Sequence, residues 1–221
     1  MESLLSAARL SLLVSLSATV LIGGAGLALA YLLASRNFRG KHLLDALISV
    51  PLVLPPTVVG YYLVLLLGRE GWLGGPIYRL TGWSAVFTWQ GAALAAFVVA
   101  LPLMVRVSRA AIQAVDRDLV QISATLGKSE WETAWHVVLP LARQGILAGL
   151  LLSFARALGE FGATLMIAGN IPGKTSTLPL SIYSAFQNGD DALAQAMALL
   201  LTAISAAVIY FANRWTASRW L

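Results

Sequence analysis

The chain has no cysteine among its 221 residues, so disulfides, thiolate metal sites and thiol nucleophiles are excluded at once. Histidine is nearly as scarce. His42 and His136 lie far apart without ligand-like spacing, and each is read as structural. No serine is set in a pattern with an orienting base, so nothing points to a soluble enzyme. Two fragments imitate a phosphate-binding loop and fail. Gly127-Lys128-Ser129 would need glycine at Ile122, Gly173-Lys174-Thr175 would need it at Ala168, and neither follows an expected strand. If ATP drives this protein, another chain must bind it. Charge is thin as well: 11% of residues are charged against 58% hydrophobic, with mean hydropathy +0.78, far from soluble composition.

Long uncharged runs take the place of a soluble core. They cover residues 10–35, 46–68, 80–105 and 192–213. Each exceeds the roughly 18–20 residues that carry a helix across about 30 Å of hydrocarbon. A further span is expected at 141–167, interrupted by Arg156 and Glu160. The expectation is an all-α polytopic membrane protein forming a single domain over 1–221. Its five spans lie near 10–35, 43–67, 85–106, 141–167 and 192–213. An amino terminus outside places Arg36, Arg39, Lys41, Arg106, Arg109, Arg117, Lys128, Arg143, Arg214 and Arg219 inside. Only Arg9, Arg69, Arg79 and Lys174 then remain outside. The net charge of +5 is therefore read as a topology signal and not as a nucleic-acid surface. Residues 10–35 are too long for a signal peptide, and their basic cluster follows the run, so they read as a retained helix.

The second expected span carries Pro51, Pro55 and Pro56 at its middle, which requires a kink or a break. The glycine- and aromatic-rich loop 68–85 reads as an interfacial anchor or a docking surface for an external partner. Between the third and fourth spans, Ile112, Val115, Leu119, Ile122 and Leu126 recur at helical spacing as one stripe. Gly127 is a helix stop, Ser129 and Glu132 form a capping box, and Pro140 is expected to break the chain before the next span. Two readings stand for this loop, an amphipathic hairpin resting on lipid or a helix offered to a cytoplasmic partner. Arg156 and Glu160, four apart on one helix face, read as a structural ion pair near the outer end, with direct substrate contact by Arg156 left open.

The segment Gly127, nine residues, then Val137-Val138-Leu139-Pro140 resembles the inner-loop signature of type I binding-protein-dependent ABC importer permeases. It departs at Gln121-Ile122-Ser123, where that family carries Glu-Ala-Ala. Pro51–Tyr61, Leu158–Thr164, Asn170-Ile171-Pro172-Gly173 and Leu178-Pro179 are similar to the molybdate permeases, and sulfate permeases share part of the pattern. The resemblance implies a permease moving molybdate or tungstate, with a sulfate-type oxyanion permease of the same fold as the alternative and an ATP-independent secondary transporter behind it. It implies a second permease copy, two cytoplasmic ABC ATPase subunits that hold ATP and Mg, and a periplasmic molybdate-binding protein in which selectivity mainly resides. No cofactor is expected in this chain. The implied location is the bacterial or archaeal cytoplasmic membrane, with the carboxyl terminus inside. The loop 106–140 becomes the coupling loop, with Gln121, Ile122, Ala124, Leu126 and Gly127 at the ATPase cleft. Arg156, Glu160 and Thr164 are expected along the route or at its outer gate.

Overall fold

In the computed structural model, which describes residues 2–217, helices form wherever the apolar runs demand them. The elements are α1 (Glu2–Ser35), α2 (Lys41–Val53), α3 (Pro56–Leu67), α4 (Gly74–Thr81), α5 (Trp89–Gln113), α6 (Arg117–Thr125), α7 (Glu130–Thr133), a π-helical turn (Ala134–Val138), α8 (Leu139–Leu158), α9 (Gly162–Ala168), α10 (Leu178–Gln187) and α11 (Asp191–Ala217). No strand occurs among the described residues. Arg219, expected inside, lies outside them.

The centre is a trio of long helices. Val14, Ala18 and Ile22 of α1 share one buried cluster with Ala92–Ala100 of α5, while Ala30 and Leu33 meet Val105 and Ile112 farther along. The two helices therefore run in the same direction. α8 runs against them: a side chain at Gly145 would meet Ala111, and one at Gly149 would meet Ser108 and Met104. Alanine and glycine dominate these contacts, because in lipid close backbone approach takes the place of a hydrophobic drive. α11 begins beside the start of α1, where Met197 packs with Ala7 and Leu178.

Four helices are long and apolar enough to span by themselves: Ser3–Ser35, Trp89–Gln113, Glu130–Leu158 and Asp191–Ala212. The expected second span, 43–67, is instead two helices bent by 118°. The residue before a proline is held extended, as Leu54 is at φ −72°, ψ 142°, and Pro56 starts the next helix at its first position. α2 is fixed to α5 by an ion pair of Arg109 Nη1 and Asp45 Oδ2 at 2.8 Å. α3 turns to pack on α9.

Two further expectations change. The apolar stripe from Ile112 to Leu126 does not lie on one helix, because α5 ends at Gln113 and Asp116 caps a new one by accepting from Asp118 N at 2.9 Å. Pro140 does not break the chain before the fourth span. The π-helical turn widens the backbone just ahead of it, which accommodates a ring that would clash in a regular helix, and α7 continues into α8. That span ends at Leu158, not at residue 167. Gly159–Phe161 interrupt it, and α9 is a separate short helix.

Candidate functional site

The candidate side chains that the sequence singled out gather at the two ends of α8. At one end, beside the carboxyl-terminal end of α1, α6 and α7 form a compact hairpin. α6 closes with two nested bonds, Gly127 N donating to Ala124 O at 3.0 Å and Lys128 N to Ser123 O at 3.2 Å. Gly127 adopts φ +79°, which a β-carbon would oppose. Ser129 then caps α7: its Oγ accepts from Glu132 N, and Glu132 Oε2 accepts from Ser129 N at 2.8 Å. The backbone N–H and hydroxyl of Ser129 hold the Glu132 carboxyl below its usual range, with smaller help from Lys128 and His136 against slight desolvation. Inside the hairpin, the buried hydroxyls of Ser123 and Thr133 bond at 2.9 Å and tie α6 to α7. An Arg36–Glu130 ion pair ties the hairpin to the end of α1.

The hairpin is thus internally closed but apolar on its outside. Ile122 is 53% exposed and Leu126 74%, with Leu119 beside them, and Trp131 and Trp135 pack edge-on in the open. The five residues expected at a partner's cleft divide. Ile122 and Leu126 are exposed, Gln121 and Ala124 border a cleft of about 550 Å³ against α1, and Gly127 shapes the turn.

At the other end, Arg156 and Glu160 pair at 2.8 Å. Glu160 also does something its sequence position did not announce: its Oε1 accepts from Ala163 N at 2.9 Å, satisfying a free donor at the start of α9. Arg156 stands 13 residues beyond Arg143, about 20 Å along the helix at 1.5 Å per residue, and so within the membrane. Its side chain is 36% exposed. A cation facing acyl chains costs roughly 2.5–3.5 kcal/mol or more at mid-membrane and less toward either end, a penalty that favours water or another protein surface on its open side. Thr164, expected beside the pair on the route, is 1% exposed and packed into α9's buried face.

A further polar cluster escaped the sequence reading. Beyond Gly169, Asn170 Nδ2 donates to Ser184 Oγ, Ser176 Oγ donates to Asn170 Oδ1, and Ser176 and Ser181 share a bond at 3.0 Å. Leu178 N donates to Ser11 Oγ of α1 at 2.7 Å. Non-helical backbone near membrane depth needs such internal partners. The density of Ser, Thr and Asn over 170–184 was the available signal.

Comparison with known proteins agrees with this architecture. Residues 25–220 match the family described as binding-protein-dependent transport system inner membrane component. A relative from Haemophilus influenzae, named molybdenum transport system permease protein ModB, is 41% identical over 97% of this chain and 94% of its own. The sulfate transport system permease protein CysW of Synechococcus elongatus is 39% identical over 92% of this chain and 71% of its own. Among solved structures, a bacterial ABC transporter involved in import of the acidic polysaccharide alginate superposes with a TM-score of 0.80 at 14% identity, over 100% of this chain and 81% of the other. With its family matched over most of its length and its helices in the arrangement of importer permeases, the chain belongs to the binding-protein-dependent transport system inner membrane components.

Proposed function

We propose that this chain is the permease subunit of an ATP-driven molybdate importer, with ATP and Mg held by a separate ATPase. The observation that carries the reading is the hairpin: a closed, capped unit whose Ile122 and Leu126 stay exposed among the described residues, fused through the π-helical turn to a helix long and apolar enough to cross the membrane. Such a surface fits a groove on a soluble motor. The full-length likeness to a permease named for molybdenum supports the substrate.

In this reading the hairpin end faces the cytoplasm, the start of α1 faces outside, and two copies of the chain form the route between them. Two ATPase subunits grip the two hairpins, and a binding protein delivers the oxyanion at the outer ends. Closure of the ATPase pair moves each hairpin, α8 carries the displacement, and the outer ends part. That is alternating access by rigid-body motion between discrete packings. Arg156 lines the route near its outer end. A second substrate reading, sulfate, is favoured by the 39% identity to a sulfate permease.

Uptake of labelled molybdate into vesicles holding the permease, its ATPase and the binding protein tests this. Uptake should require ATP and be competed by tungstate but weakly by sulfate. ATP-driven sulfate uptake that excludes molybdate would overturn the substrate, and uptake indifferent to ATP would overturn the mechanism.

A further inference from the structure

Glu160 sits at the break between α8 and α9 with 2% of its side chain exposed. A carboxylate this buried needs partners for both oxygens, and each has one: Arg156 Nη1 on Oε2 and Ala163 N on Oε1. The two helices are thereby joined across Gly159–Phe161. α9 in turn presses on α3, since a β-carbon at Gly60 would stand 2.8 Å from the Ala163 backbone. Among the described residues the guanidinium donates through Nη1 to Glu160, and it is the partly exposed member of the pair. An arriving anion therefore meets arginine donors, not the buried carboxylate.

We propose that Glu160 is the positioning residue of the outer gate. It aims the Arg156 guanidinium into the route and cancels its charge, so that a tetrahedral oxyanion is met by hydrogen-bond donors but not held. A bare guanidinium at low dielectric would retain a dianion, whereas conduction requires release. The inference rests on the reading of Arg156 as lining the anion route.

The test uses the complete complex of permease, ATPase and binding protein in lipid nanodiscs. Hydrolysis is prevented by supplying a non-hydrolysable ATP analogue, and retained labelled molybdate is counted after rapid filtration, alongside uptake in vesicles. Glu160→Gln keeps an acceptor for Ala163 N but removes the charge. It should raise retention at least fivefold over the natural chain while lowering uptake about tenfold. Unchanged retention, with uptake falling only in proportion to assembled complex, would leave Glu160 a structural joint and overturn the proposal. The neutral pair Arg156→Gln with Glu160→Gln should abolish the added retention. If that pair transports like the natural chain, Arg156 is not on the route, and both readings fall. If Glu160→Gln does not assemble, Glu160→Asp replaces it: too short to span both partners, it should retain an intermediate amount, and retention equal to the natural chain overturns the proposal.

Discussion

Gly60 and Gly127 are constrained for different reasons, and substitutions at them should fail differently. At Gly60 a β-carbon would meet Met166 Cβ at 2.7 Å and the Ala163 backbone at 2.8 Å, so α3 and α9 approach as closely as backbones allow. Gly60→Val should destabilise the chain by about 1–3 kcal/mol through overpacking, read as a lower thermal unfolding midpoint of the purified complex. Gly127 has open space around it, and its constraint is the left-handed backbone, costly by about 1–2 kcal/mol for other residues. Gly127→Ile should leave assembly intact but uncouple ATP hydrolysis from uptake, whereas Gly127→Asn should stay close to the natural chain. Normal coupling in the isoleucine variant would count against the hairpin as the motor contact. At Glu132 the sign follows from a depressed carboxyl. The cap's contribution is complete above the ordinary carboxylate range and is lost as pH falls through the lowered value. Hydrogen-exchange protection of the Ser129 amide, corrected for intrinsic exchange, should therefore be lost only as pH falls below the ordinary carboxylate range, and it should be low at every pH in Glu132→Ala.

Among the elements, the hairpin was the most legible in sequence, because its signals are local. The Gly127 stop and the Ser129–Glu132 capping box stand as read. The single long stripe did not, because helical spacing continues across Asp116 while the backbone does not: a side-chain cap can start a new helix in mid-pattern. Proline told a similar story in two directions. Pro55-Pro56 broke a span more sharply than a kink, and Pro140 broke nothing because a π-helical turn absorbed it. The break at Gly159–Phe161 lay hidden inside an apolar run, since the donor that Glu160 satisfies exists only once the helix has ended. The buried Ser123–Thr133 bond likewise joins residues ten apart on different helices, which periodicity does not reveal. It supplies a test of the hairpin as a unit. Thr133→Val should strand the Ser123 hydroxyl at a cost of about 1–3 kcal/mol and raise ATP hydrolysis per molybdate imported. Adding Ser123→Ala should recover most of both losses, because removing both partners leaves nothing unpaired.

Across the whole molecule, uncharged apolar runs marked three of the four helices long enough to span, while the fourth, Glu130–Leu158, starts well ahead of residue 141 and stops short of 167. Helix neighbours were not legible, because alanine and glycine faces look alike in sequence and their pairing is fixed only by the assembled packing. What the fold adds is a mechanical path: a capped hairpin, a helix that runs on from Glu130 in that hairpin to Leu158 across the bundle, and a carboxylate that joins its far end to α9. The absence of cysteine allows this path to be measured without background. Lys174 is exposed at the end of the bundle away from the hairpin, the outer end in the proposed orientation, so a spin label on Lys174→Cys in both copies of the complex reports the separation of those ends by pulsed electron resonance. The account predicts a longer distance when ATP is bound and hydrolysis blocked than when nucleotide is absent. An unchanged distance in a complex that still imports molybdate would contradict it.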